Sequence, residues 1–230
     1  MMPHQLNWQE ICQMIPKRKA DAQKGDFGRL LCITGSRNMP GACLLSTQAA
    51  LRGGAGLVTV ATAPENPMRL AAAAPEAMWL PLETDEAGFL RSSDQNRKTL
   101  EKQLSRANAV LLGCGLGVTE ETRRLVHWVL EQTVCPVVLD ADGLNCAVSC
   151  IELSRRTGKD WILTPHPGEM ARLTGRSIPQ IQENRVETAT QFAAAYPVTL
   201  ALKGAGTLVA QGSRLAQNPT GNPGMSRGGS

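Results

Sequence analysis

Aromatic residues are scarce, at 3 % of the 230 positions. That scarcity removes the stacking platforms with which proteins grip single-stranded nucleic acid. Excess charge is also small: the net +4 is spread along the chain, and the run Lys17-Arg18-Lys19 reads as solvated surface rather than a nucleic-acid patch. No stretch approaches the ~20 consecutive apolar residues of a membrane-spanning helix. The first eight residues lack the apolar core and small-residue cleavage site of a secretion signal. The seven cysteines include no CxxC pair, and Cys146 and Cys150 have no partner pair or nearby histidine to complete a zinc set. They read as mostly reduced, structural thiols of a cytoplasmic protein. His4 and His127 read as structural or solvated.

What is present suits one globular domain. A chain of this length, 42 % apolar and 19 % charged, can bury a substantial core. Short runs rich in Val, Ile and Leu predict strands at 29–34, 57–61, 109–112, 137–140, 161–163, 198–202 and 207–210. Between them, helical periodicity predicts helices at 42–52, 120–132, 168–173 and 179–195, the second with Leu125, Trp128 and Val129 on one side. The polar stretch 83–103 reads as a surface excursion with one helix. Continuous apolar strands alternating with helices predict an α/β fold with a mostly parallel sheet covered on both faces. Ligands bind such sheets outside the carboxyl ends of the strands, so residues just after strands carry the functional expectation.

Five segments lie there. Gly35-Ser36-Arg37-Asn38-Met39-Pro40-Gly41-Ala42 joins a strand to a helix, but matches neither GxxxxGK[ST] nor GxGxxG. Leu112-Gly113-Cys114-Gly115-Leu116-Gly117 is either a tight turn or an unobstructed wall beside a flat ligand. Val138-Leu139-Asp140-Ala141-Asp142-Gly143-Leu144-Asn145 ends a strand in two carboxylates, which could bind hydrated Mg²⁺ or position a hydroxyl, while one of the pair caps the next helix. Leu163-Thr164-Pro165-His166-Pro167-Gly168-Glu169 holds an imidazole between two prolines, with Glu169 in a helical first turn. Lys203-Gly204-Ala205-Gly206-Thr207 offers a cation, two glycines and a hydroxyl between strands, a compact phosphate site or a plain hairpin turn. A glycine-rich run, Thr220 to Ser230, follows.

The strings KGDFGRLLCITGS, ALRGGAGLVTVAT, GCGLG, VVLDADGLN, ILTPHPGEMARLTG, LKGAGT and GNPGMSRGGS occur here in order. Together they resemble the NAD(P)H-hydrate dehydratases of the ribokinase-like superfamily, over about residues 17–230, with 1–16 as an N-terminal extension. The resemblance implies a ribokinase-like three-layer α/β/α sandwich with a mostly parallel central sheet. It implies repair of hydrated NADH or NADPH, in which ADP or ATP phosphorylates the ring hydroxyl and loss of phosphate restores the nicotinamide. By likeness, Ala42, Gly115, Gly117 and His166 line the hydrate site. Lys203, Gly204, Ala205, Gly206, Thr207, Gly228, Gly229 and Ser230 hold the adenine nucleotide, and Glu169 stands at the Mg²⁺ position. A homo-oligomer, a tetramer, is implied as well.

Relatives of this type continue the last motif as Gly-Gly-Ser-Gly-Asp, where the Asp is the base. The sequence stops at Ser230, so no catalytic Asp is assigned, the closing C-terminal helices are expected to be missing, and the 230-residue polypeptide is expected to be inactive. An epimerase domain, often fused ahead of this one, is left open, as is the choice of donor, with ADP favoured. The rival readings are a small-alcohol or vitamin-precursor kinase on the same scaffold, and a nucleotide-binding fragment without chemistry.

Overall fold

The computed structural model describes residues 2–157, 160–225 and 228, with Arg156 and Thr157 described by backbone alone. Its strands are β1 (His4–Gln5), β2 (Arg29–Ile33), β3 (Leu57–Thr62), β4 (Met78–Pro81), β5 (Ala109–Leu112), β6 (Val137–Leu139), β7 (Trp161–Leu163), β8 (Val198–Leu202), β9 (Thr207–Gln211) and β10 (Arg214–Asn218). Its α-helices are α1 (Trp8–Met14), α2 (Pro40–Arg52), α3 (Asn66–Leu70), α4 (Asp94–Leu104), α5 (Glu120–Gln132), α6 (Asp142–Ala147), α7 (Leu153–Thr157), α8 (Pro167–Thr174), α9 (Ile178–Glu183) and α10 (Arg185–Ala195). Two compact units result: Gln23–Trp161, and the residues up to Ala22 together with Ile162–Gly228.

In the first unit the strand order is β6-β5-β2-β3-β4, and every pairing is parallel. The apolar runs form strands because both faces are buried. On one face Leu30, Cys32, Val58, Val60 and Trp79 pack with Cys43, Leu44 and Leu70 from α2 and α3. On α5, Leu125, Val126, Val129 and Leu130 are fully buried, each contributing about 1.5–3 kcal/mol gross. That helix starts where a hydroxyl can satisfy its free amides: Thr119 caps it and accepts from the Thr122 N–H at 3.1 Å. Trp128 stays half-buried, with the Arg97 guanidinium 5.9 Å from its ring centroid.

The second unit orders its strands β1-β10-β9-β8-β7. Here β9 runs antiparallel to both β8 and β10, and β1 parallel to β10. The stretch expected as an extension thus supplies β1, and the Leu6 N–H continues its ladder to the Gln217 carbonyl at 3.0 Å. The helix expected over 179–195 is two helices. Asn184, at φ −128° and ψ 45°, ends α9 and precedes α10. The strands absent from the sequence reading are β1, β4 and β10. Each lacks a long β-branched run, and β4 ends in Pro81, tolerated because β4 is an edge strand.

All seven cysteines are free. Burial, helped by the Cys43 thiol, pushes Cys32 up to about 12. Burial, helped by Cys146, does the same for Cys150, and Cys43 and Cys146 are raised by burial too. A thiolate is the reactive species, so alkylation of the native protein near neutral pH should label exposed Cys12 and spare these four until guanidinium unfolds the chain. Peptide mass mapping reads the pattern; native labelling of Cys32 as fast as Cys12 would contradict the burial.

Candidate functional site

In the Gln23–Trp161 unit the loops after β2, β5 and β6 meet. Gly35 N–H donates to the Cys114 carbonyl at 2.9 Å and Ser36 N–H to the Gly115 carbonyl at 2.6 Å. From the β3 side, the Thr62 hydroxyl donates to the Gly35 carbonyl at 2.9 Å, and the Asn66 amide to the Ser36 carbonyl at 3.2 Å. These bonds fix the loop ahead of α2, which starts with Pro40 and carries half-buried Ala42.

Ala42, Gly115 and Gly117 therefore lie in one region. The room the two glycines leave is taken up by protein. A Cβ on Gly115 would stand 2.7 Å from the Ala42 Cβ, and one on Gly117 would strike the Phe89 ring; both glycines are buried. Of the two readings of this segment, the geometry favours the tight turn, packed against Ala42, Met39 and Phe89. Phe89 was invisible in the sequence because it belongs to the polar excursion between β4 and α4.

The two carboxylates have distinct partners. Asp142 accepts from the Gly117 N–H at 2.8 Å, and Asp140 from the Cys114 thiol at 3.4 Å. Neither caps α6, whose N-cap position is Ala141 without a side-chain bond. Ala141 adopts φ 52° and ψ −121°, the one non-glycine positive φ among the described residues. The strain sits between the two carboxylates and aims both back at the glycine turn.

In the other unit, His166 is the N-cap of α8. Its Nδ1 accepts from the Gly168 N–H at 2.9 Å and the Glu169 N–H at 3.4 Å, so the proton of the neutral ring lies on Nε2. Glu169 returns the favour, accepting from the His166 N–H at 2.8 Å, with its other oxygen 3.4 Å from His166 Nε2. The imidazole is half-exposed while Glu169 is only 5 % exposed. Pro167 at the first helical position and left-handed Gly175 at the end complete the helix signals.

The neighbouring loop is held to this one. The Lys203 N–H donates to the Pro165 carbonyl at 2.8 Å, so the His166 and Lys203 segments adjoin. Gly204 and Ala205 are exposed, Lys203, Gly206 and Thr207 half-buried. The Thr207 hydroxyl donates back to the Gly204 carbonyl at 3.0 Å. One contributor escaped the sequence reading: Arg185, whose guanidinium donates to the Leu202, Lys203 and Ala205 carbonyls at 3.0, 3.3 and 3.2 Å. Gly228 is an exposed turn residue. Gly229 and Ser230 lie outside the described residues.

A resident Mg²⁺ does not fit this set. Both Glu169 oxygens turn back to His166, and no group of three His, Cys, Asp or Glu suited to a metal occurs among the described residues. No helix among the described residues is long and apolar enough to cross a membrane.

Comparison with known proteins adds the family. The profile described as NAD(P)H-hydrate dehydratase matches residues 30–230. The chain is 40 % identical to the bifunctional NAD(P)H-hydrate repair enzyme of Coxiella burnetii, over 97 % of this chain and 43 % of that protein. It is 34 % identical to the ADP-dependent (S)-NAD(P)H-hydrate dehydratase of Bacillus subtilis, over 94 % and 72 %. Among solved structures, the ADP/ATP-dependent NAD(P)H-hydrate dehydratase of Bacillus subtilis, co-crystallised with ATP/Mg²⁺, superposes with a TM-score of 0.80 at 30 % identity, covering 100 % of this chain and 77 % of that one. A ribokinase-like protein of Enterococcus faecalis gives 0.82 at 27 %, covering 98 % and 75 %. The chain spans about two fifths of the length of the first curated relatives it matches.

The strain at Ala141 is testable. Ala141→Gly should raise the unfolding free energy by about 1 kcal/mol, since relief of a disfavoured φ/ψ outweighs the chain entropy glycine adds. A higher urea midpoint at unchanged m-value is the expected reading; a lower midpoint would show that the conformation is unstrained.

Proposed function

Because the chain belongs to the NAD(P)H-hydrate dehydratase family, we propose that it serves the nucleotide-dependent return of hydrated NADH and NADPH to NADH and NADPH. The chemistry is an elimination made easier by phosphorylation. Transfer of a terminal phosphoryl group to the ring hydroxyl replaces hydroxide, a poor leaving group, with phosphate. Loss of that phosphate and of a proton from the adjacent carbon restores the ring double bond. ADP, the donor named for the Bacillus subtilis relative, would leave as AMP; ATP would leave as ADP.

The observation that carries the reading is the pairing of the Pro165 and Lys203 segments. It sets a half-exposed imidazole and an exposed glycine loop side by side at strand ends, where anionic ligands are held in such folds. We assign Lys203, Gly204, Ala205, Gly206 and Thr207 to the nucleotide, with Gly228, Gly229 and Ser230 as further contributors. His166 is assigned to the hydrate. Glu169 keeps His166 in place through the reciprocal cap, and Mg²⁺ arrives on the phosphates. A cytoplasmic homo-tetramer completes the reading, and light scattering tests it.

For the 230-residue chain the test is calorimetry with ADP. Lys203→Met should weaken binding roughly tenfold or more, the loss of one charge-assisted contact; unchanged affinity would remove Lys203 from the site. For the protein as its gene encodes it, hydrated NADH plus ADP should regain the absorbance of NADH. A stable phosphoester formed from a small alcohol instead would point to a kinase.

His166 has two separable roles. His166→Asn keeps an acceptor for the Gly168 and Glu169 amides, so stability should hold, whereas His166→Ala should lose about 1 kcal/mol. Hydrate binding should fall in both. If the asparagine variant binds hydrate normally, His166 is a cap and nothing more.

A further inference from the structure

Arg185 is placed by the break between α9 and α10, and the break has a use. Asn184 leaves helical geometry, so Arg185 opens α10 with its side chain lying across the connection between β8 and β9. Its donors go to three carbonyls of that connection, those of Leu202, Lys203 and Ala205. Burial lowers its pKa from the ordinary arginine value, yet a guanidinium stays charged across the physiological range. The fit is close at Gly204, which has φ +139°. A Cβ there would lie 2.5 Å from Arg185 Nη1 and 3.1 Å from both Cζ and Nη2. The planar cation thus lies against the bare Cα, and no other residue type leaves room for it.

Peptide planarity turns this tether into a device. In a trans peptide unit the C=O and the following N–H point in opposite directions. With the Lys203 and Ala205 carbonyls drawn to Arg185, the N–H groups of Gly204 and Gly206 project to the other side of the loop. Two such amides on one side, backed by a fixed positive charge, make a concavity for anionic oxygens. We propose that Arg185 is a positioning residue for phosphate recognition: it never touches the nucleotide, but it sets the Gly204 and Gly206 amides that do. This rests on the nucleotide role assigned above to the 203–207 loop. The ligand class is a nucleoside polyphosphate, recognised through its phosphates and not through its base.

The test compares ADP with adenosine by calorimetry on the wild-type chain and on Arg185→Lys, Arg185→Gln and Gly204→Ala. A lysine has a single ammonium and cannot span three carbonyls as the fork does, so it should rescue poorly. Misplacing a binding group by about 1 Å is enough to cost an order of magnitude or more. ADP affinity should therefore fall at least about tenfold in all three variants, while adenosine affinity stays within about twofold. Gly204→Ala displaces the guanidinium without removing the charge but also strains the loop at φ +139°, so the arginine variants carry the comparison. Amide ¹⁵N–¹H shifts of Gly206 should move in the arginine variants before any ligand is added. If the wild type binds no ADP, the nucleotide assignment itself fails. If the wild type binds ADP and Gly204→Ala or Arg185→Lys binds it equally well, the positioning role is overturned. Equal losses for ADP and adenosine also overturn it, since they indicate general loosening of the fold.

Discussion

Parallel register is the constraint from which the Gln23–Trp161 unit takes its candidate site. Ile33 stands opposite both Ala61 and Leu112, and Leu112 opposite Leu139. Four strands therefore finish at one level on one edge, and their loops emerge as neighbours. Only that alignment lets Gly35 reach the Cys114 carbonyl, Ser36 the Gly115 carbonyl, and Asp142 the Gly117 amide. A slip of one residue would turn every strand side chain to the opposite face, and the burial of Cys32, Val58 and Val60 together forbids it. Packing of the core and geometry at the edge are one specification.

That link explains which parts of the molecule could be read in advance. The strands 109–112, 161–163 and 198–202 and the helix 120–132 emerge with the bounds expected of them, because each is a continuous apolar run or a full amphipathic stripe. The helix over 179–195 failed at Asn184: periodicity continues through a break when the residues on either side still face the same core, as Ile181, Thr188 and Phe192 do by their burial. β1 could not be read at all, since two polar residues become a strand only by pairing with β10. The motif at 163–169 was legible as a loop from strand to helix and that at 203–207 as a connection between strands, but their union through Pro165 and Lys203 is a main-chain bond with no side-chain signature.

The residues that look most chemical are also the most structural. His166 and Glu169 satisfy three N–H groups that the start of α8 would otherwise leave open, their own included. Asp142 likewise serves the amide of Gly117. A reading that gives these groups to a ligand alone leaves the helix ends and the glycine turn unsupported. The same side chain can serve both ends only if the ligand meets a different part of it, and for His166 that part is the half-exposed ring edge, since Nδ1 is engaged by the cap and Nε2 faces Glu169.

Glycine-rich loops carry a cost that this arrangement offsets before any ligand arrives. Gly204 and Gly206 have more conformations to lose than other residues, and ordering each fixed residue costs about 1–2 kcal/mol of chain entropy. Left loose, the 203–207 connection would charge that cost against binding. Three bonds from Arg185, one from the Lys203 amide to Pro165 and one from the Thr207 hydroxyl hold it in the free protein. Preorganisation of this kind leaves more of the interaction energy for the ligand. A cation set behind a glycine loop has a further advantage over one set in front. At the proposed nucleotide loop it would add its field to the site while its own hydrogen bonds are met by carbonyls, so that a phosphate could arrive and depart without leaving a buried charge unpaired.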